Sequence, residues 1–147
     1  MRNFILLMPF LLLISGLQAQ EYLIVTTVES IVPAGIGRSR MIVQHSEINV
    51  DDFTTDRTDG TKSNQRNVKR SDAKVDKFEE TKLLNFYSIA GINFQNIASN
   101  DALITDKLNK LSEEGWILKF VTSAVESDSG KDDGDGIFIT RFIFYRE

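Results

Sequence analysis

Five segments of the chain are rich in the β-branched and aromatic residues that favour strands. They are residues 21–31, 38–44, 83–88, 116–125 and 136–145. A loop with Pro33, Gly35 and Gly37 separates the first two segments and predicts a β-hairpin. A polar, Gly-rich stretch separates the last two segments and predicts a turn between them. The pattern therefore predicts a small antiparallel sheet of about four to five strands.

One segment between these strands has the spacing of an amphipathic helix. Four apolar residues recur at helical intervals and would share one face: Leu103, Ile104, Leu108 and Leu111. Residues 99–101 supply polar side chains that commonly cap a helix, and Gly115 stands where helices often end in a left-handed residue. We predict one main helix packed on one face of the sheet, which is an α+β fold.

The first residues of the chain have the layout of a secretory signal peptide. Arg2 supplies a positive charge, residues 4–14 form an apolar run, and Ala19 has the small side chain that precedes a cleavage site. The apolar run is shorter than a membrane span. We predict that residues 1–19 are removed, that no membrane span remains, and that the mature protein is periplasmic or extracellular.

The segment from residue 45 to residue 82 is strongly polar. Seventeen of its 38 residues are charged and only seven are apolar. Such a segment buries too little apolar surface to offset the entropy cost of ordering it. We predict that residues 20–147 form a single domain in which residues 45–82 are a polar, flexible insertion.

The composition excludes several classes of function. The 147-residue chain has no Cys and one His, which excludes disulfides, thiolate metal sites and a multi-His metal site. Its formal charge is −4, so it has no overall cationic field to attract nucleic acid. The sequence predicts no catalytic residue and no cofactor beyond a weak calcium site.

Two loops contain candidate binding residues. Arg38 and Arg40 follow the glycine loop, and guanidinium groups beside backbone amides suit a small anion. Asp133 and Asp135 lie in an Asp- and Gly-rich stretch, where carboxylates suit calcium, although the spacing is not that of an EF-hand. In both loops a hairpin turn without a ligand is the alternative interpretation.

Residues 107–118, with the sequence KLNKLSEEGWIL, resemble a small bacterial domain of unknown function. The hallmark of that domain is a helix that ends in L-N-x-L-x-x-x-G-W-E-L, and Ile117 here replaces the common Glu. Residues 29–33, 37–42 and 91–94 resemble secreted uncharacterised bacterial proteins. The resemblance implies the α+β fold and implies no activity.

The sequence thus favours an exported, small, non-enzymatic binding domain, whose partner is an unknown envelope protein or a small anion. A second hypothesis is a structural envelope protein that self-associates as a homodimer by pairing an exposed edge at its apolar C-terminal strand. A third is a carboxylate-based hydrolase, which requires a pocket with two facing acidic side chains.

Overall fold

The computed structural model describes residues 19–30, 39–57, 59–88, 90–126 and 136–147. Its strands are β1 (Glu21–Ser30), β2 (Arg40–Gln44), β3 (Phe78–Lys82), β4 (Tyr87–Ser88), β5 (Gly91–Ile92), β6 (Ile117–Glu126) and β7 (Ile137–Arg146). The helix α1 spans Phe94–Glu113, and two 3-10 helices span Val50–Phe53 and Asn64–Asn67. The α+β prediction is confirmed, with one main helix and a five-stranded antiparallel sheet.

The sheet has the strand order β3-β2-β1-β7-β6, and every neighbouring pair is antiparallel. β1 and β7 pair along their full length at the centre, from Glu21 opposite Arg146 to Ser30 opposite Ile137. The C-terminal strand β7 is therefore an interior strand. Placing an exposed edge there was wrong, because β7 has a neighbour on each side. The two edges of the sheet are β3 and β6.

The helix α1 packs on one face of the sheet, which we call the covered face. The core there consists of Leu23, Val25, Met41, Val43, Leu83, Leu111 and Phe144. Ile104 and Leu108 of α1 pack against this core, as does Trp116 at the start of the following strand. The predicted apolar face of the helix is thus confirmed at Ile104, Leu108 and Leu111, but not at Leu103, which is 39% exposed and lies outside the core cluster.

Both ends of α1 are capped. Asn93 precedes the helix, and its Oδ1 accepts a hydrogen bond from the amide of Asn96 at 3.1 Å. At the other end Gly115 has φ +86°, its amide donates to the carbonyl of Ser112, and the amide of Trp116 donates to the carbonyl of Leu111. These bonds form a Schellman motif, which confirms Gly115 as the helix terminator. The expected start near residues 99–101 was wrong, because Asn93 caps the chain earlier.

The polar segment differs from its prediction at its C-terminal end. Its last five residues, Phe78–Lys82, form the edge strand β3, whereas the strand predicted at residues 83–88 is absent except for the two residues of β4. Three charged residues out of five make β3 a polar sequence, but an edge strand tolerates charges because each side chain can reach water. The remainder of the segment lies at the surface, with its described residues exposed or half-buried. Its flexibility stays a prediction.

Within the part of the chain that the structure describes, no helix is both long enough and apolar enough to cross a membrane.

Candidate binding surface

The face of the sheet opposite α1, which we call the open face, has no helix over it among the described residues. Side chains alternate between the two faces of a strand, so the neighbours of core residues point to the open face. The register aligns these positions in rows across the sheet. Tyr22 pairs with Tyr145, Ile24 pairs with Ile143, and Phe120 is also opposite Ile143.

Five large apolar side chains on the open face are about half exposed. They are Tyr22 (57% exposed), Ile24 (47%), Phe78 (51%), Ile117 (53%) and Phe120 (60%). Half-buried Ile42, Ile143 and Tyr145 lie on the same face between them. The apolar surface therefore runs across all five strands, from β3 to β6, near one end of the sheet. Contiguous apolar surface of this kind marks interaction sites in soluble proteins.

A shallow depression of about 420 Å³ lies within the open face. Its lining includes Tyr22, Ile24 and Ile42, and the polar side chains at its border are Thr26, Gln44 and Arg141. Arg141 pairs with Thr26 across the two central strands. Among the described residues, no carboxylate lies within salt-bridge distance of Arg141. The depression therefore combines apolar walls with a cation that is available to a ligand.

A second cation borders the apolar surface at Lys119. The register between β6 and β7 shifts between Leu118 and Phe120, so Lys119 is the extra residue of a β-bulge. Its Nζ lies 5.0 Å from the centroid of the Tyr145 ring and 5.8 Å from that of Tyr22. These cation–π contacts hold the ammonium group beside the aromatic rings, where it adds positive charge to the open face.

The predicted anion site at Arg38 and Arg40 is separate from the apolar surface of the open face. Arg38 is outside the described residues, whereas Arg40 is described and half-buried. Arg40 Nε lies 2.8 Å from an oxygen of Glu80, and its Nη1 donates to the carbonyl of Ser39. The carboxylate of Glu80 neutralises the charge of Arg40 in this arrangement. Anion binding by Arg38 and Arg40 stays a prediction.

The predicted calcium residues, Asp133 and Asp135, are outside the described residues. In the described ranges no three acidic or His side chains lie close enough together to hold a metal ion. A depression of about 350 Å³ in the polar segment has four acidic residues in its lining, and all four are exposed to solvent. They are Glu47, Asp52, Asp72 and Asp76.

A buried polar cluster, which the sequence interpretation missed, lies beneath the N-terminal half of α1. Asn100 is fully buried and its Nδ2 donates to Glu29 at 3.0 Å. The equally buried Ser39 accepts from the amide of Ser30 at 3.0 Å and donates to Asn85 at 2.7 Å. No buried side-chain nitrogen or oxygen among the described residues lacks a partner. The cluster is satisfied, and it therefore fixes the fold rather than presenting groups to a ligand.

One sequence signal could have revealed this cluster. Asn93, Asn96 and Asn100 recur at intervals of three and four residues, which places them on one side of a helix. Asn96 Nδ2 donates to the carbonyl of Asn85 at 2.7 Å, and Asn93 is the helix cap. A helical row of asparagines indicates that this side of the helix faces backbone groups rather than apolar side chains.

Charged pairs occupy the β3 edge. Glu79 lies 3.0 Å from Lys107 of α1 and 3.3 Å from His45. The hydrogen bond and the charge of Lys107 lower the pKa of Glu79, and the charge of His45 makes a smaller contribution in the same direction. His45 therefore has a carboxylate partner, which the sequence did not indicate. The β3 edge is thereby covered with charge.

No family model, curated protein or solved structure matches the chain. The resemblance to the bacterial domain of unknown function accordingly stays a prediction.

Proposed function

We propose that this protein is an exported, non-enzymatic binding domain whose open face binds an amphipathic, acidic helix of a protein partner. The observation that carries the proposal is the set of half-exposed apolar side chains on a sheet face over which no helix lies among the described residues. Tyr22, Ile24 and Phe120 contribute to it from strands on both sides of β7. A sheet normally buries its apolar faces against another layer.

The dimensions of the open face suit a helix. Strands lie about 4.8 Å apart, so five strands span about 19 Å between the centres of the edge strands. Two rows of side chains, through Tyr22 and through Ile24, give the apolar surface a width close to the diameter of a helix, which is about 10–12 Å. On the covered face, α1 demonstrates that this sheet accommodates a helix with apolar residues at Ile104, Leu108 and Leu111.

The charges of the open face favour an acidic partner. Lys119 and Arg141 border the apolar surface, and neither has a carboxylate within salt-bridge distance among the described residues. A helix with Asp or Glu beside its apolar stripe would place carboxylates against both cations. Electrostatic complementarity of this kind favours the correct partner and its orientation. Because the chain is predicted to be exported, we expect the partner to be another exported protein.

Two labelled synthetic helices test the proposal. Both have the same leucine face, but the remaining positions are Glu in one peptide and Lys in the other. Fluorescence anisotropy should show that the Glu peptide binds more tightly, because Lys119 and Arg141 repel the Lys peptide. Equal binding of the two peptides, or tighter binding of the Lys peptide, would contradict the proposal.

Substitutions locate the binding surface. Ile24→Ser should weaken binding of the Glu peptide by about tenfold, since one buried aliphatic side chain contributes about 1.5 kcal/mol or more. Replacing both cations, Lys119→Gln with Arg141→Gln, should abolish the preference for the Glu peptide. Leu103→Ser is the matched control, because Leu103 lies on α1, away from the open face, and its side chain is 39% exposed. If the Leu103 variant lost binding of the Glu peptide and the Ile24→Ser variant kept it, the binding site would not be on the open face.

A further inference from the structure

The edge strand β6 is unprotected on both faces. Nine of its ten residues pair with β7 on one side, all but the bulge residue Lys119, and within the described ranges no strand pairs with the other side. Every residue from Ile117 to Val125 is exposed. On the covered face, Leu118 is 43%, Val121 44% and Val125 57% exposed, because α1 packs over the central strands and leaves this edge uncovered. The free backbone groups of such an edge can accept another strand.

The opposite edge strand, β3, has features that discourage pairing with another strand. β3 has only five residues, and it includes Glu79, Glu80 and Lys82. Two of these charges form ion pairs, with Lys107 and with Arg40. Short length and charged side chains both discourage strand addition. β6 is twice as long, and residues 120–125 have the sequence FVTSAV, which contains no charge, Pro or Gly.

We infer that β6 pairs with β6 of a second copy of this chain, antiparallel and about a two-fold axis, to form a continuous ten-stranded sheet. Antiparallel addition continues the arrangement of every pair already in the sheet. An isologous contact requires a self-complementary surface. Val121 and Val125 point to the same face of β6, so pairing about Ser123 places Val121 of one copy opposite Val125 of the other.

The two-fold pairing would also bury apolar side chains of β6 that α1 leaves exposed on the covered face. The two α1 helices would lie on the same side of the joined sheet, because an antiparallel two-fold axis stands perpendicular to the sheet. Leu118, Val121 and Val125 of both copies would then line the groove between the two helices. Apolar side chains that are exposed in one copy would be shielded in the pair, which adds hydrophobic stabilisation to the backbone hydrogen bonds.

Cysteine cross-linking tests this arrangement directly, because the chain has no Cys of its own. Single Cys substitutions at positions 121, 122, 123, 124 and 125 are introduced into the full chain, and disulfide formation is followed under mild oxidation. In a two-fold antiparallel pair only the residue on the axis faces its own copy. One position should therefore form covalent dimers about tenfold faster than positions two residues away, whose Cα atoms are beyond disulfide reach.

Lys82→Cys, at the exposed β3 edge, is the control and should form few dimers. Equal rates at all five positions, or faster cross-linking at residue 82, would overturn the inference. Sedimentation of the unmodified protein provides an independent measurement. A dimer that becomes a monomer in the Val121→Lys variant and in the Val125→Lys variant supports the pairing. A wild-type protein that is monomeric at all accessible concentrations would refute it.

Val50→Lys is the matched control for the two Lys variants, because Val50 is 71% exposed in the polar segment. It should leave the dimer intact. Circular dichroism should show that all three variants remain folded, since each substituted side chain is exposed. Ile24→Ser should weaken binding of the Glu peptide but leave the dimer intact. Failure of the self-pairing can therefore be distinguished from failure of the proposed function.

Discussion

Asn100 binds both backbone polar groups of Leu84. Its Oδ1 accepts from the Leu84 amide at 2.8 Å, and its Nδ2 donates to the Leu84 carbonyl at 2.7 Å. The Asn100 side chain thus takes the place of a strand neighbour for Leu84, just after the Leu83 amide donates the last bond to the Ser39 carbonyl beside β2. This pair attaches the β3–α1 connection to the helix, and the covered face depends on it for the position of buried Leu83.

Replacement of Asn100 should destabilise the protein more than its small volume suggests. Asn100→Ala removes both bonds to Leu84 and leaves part-buried backbone groups without partners, which costs about 2–3 kcal/mol. The free energy of unfolding, measured in urea with Trp116 fluorescence, should fall by that amount. Asn109→Ala is the control, because Asn109 lies on the same helix and is exposed. Equal loss in the two variants would show that the bonds to Leu84 contribute little.

Truncation of leucines on α1 should distinguish a core position from a partly exposed one. Leu111 is 2% exposed within the core cluster, so Leu111→Ala should reduce the free energy of unfolding by about 2–4 kcal/mol through lost burial and a residual cavity. Leu103→Ala should cost less than about 1 kcal/mol, because Leu103 is 39% exposed and lies outside the core cluster. Thermal and urea unfolding of both variants measure the difference. A Leu103 variant that is as unstable as the Leu111 variant would contradict the orientation of the helix.

Gly115 should resist substitution for conformational reasons alone. Its φ is +86°, and a Cβ at this position would meet no neighbouring atom, so the cost of Gly115→Ala comes from the left-handed backbone and not from a clash. We expect a loss of about 1 kcal/mol in the free energy of unfolding. Gly115→Asn should lose less, since Asn adopts this conformation more readily. An Asn variant less stable than the Ala variant would argue against this explanation.

The ion pair of Glu79 should make a small, pH-dependent contribution. Lys107 lowers the pKa of Glu79 in the folded protein below its ordinary value of 4.5, so the stabilisation is present above that pH and is lost as the pH falls through the lowered pKa. Glu79 is exposed to solvent, so Glu79→Gln should cost a few tenths of a kcal/mol near neutral pH. The difference from wild type should vanish in acid and shrink in high salt.

Urea unfolding at several pH values measures the Glu79 effect. Glu47→Gln is the control, because Glu47 is exposed and has no cation within salt-bridge distance among the described residues. It should leave stability unchanged at neutral pH. A Glu79 variant whose deficit grows as the pH falls would have the opposite sign from the one expected.

The sequence predicted the parts of the fold that depend on local chemistry. β6, β7 and the glycine that ends α1 were identified from β-branched residues and from turn chemistry. β3 was missed because its pattern is polar, and only its place beside β2 makes it a strand. The true start of α1 was missed because residues 99–101 cap a helix as well as Asn93 does, and tertiary contacts of Asn96 and Asn100 decide between them.

The open face could not be predicted from local patterns. β7 has a nearly continuous apolar run, which indicates that both of its faces lie against apolar surface. The apolar run does not specify which face of β7 is covered by α1, the only long helix of the described ranges. It also does not specify that β1 and β6 are the neighbours of β7. The bulge at Lys119 is also unpredictable, because it depends on the register between β6 and β7, which the sequence of β6 alone does not specify.

The central pairing of β1 with β7 has a consequence for biogenesis. Glu21 and Arg146, which form an ion pair at 2.6 Å, are separated by 125 positions in the chain. A chain that emerges amino-terminus first exposes β1 long before its partner is synthesised, and long-range pairing of this kind is slow. We therefore expect the nascent protein to complete its sheet only when almost all of the chain is available. If the chain is exported as its sequence predicts, that delay would keep it competent for translocation, whereas any product that stops before β7 would be vulnerable to aggregation and proteolysis.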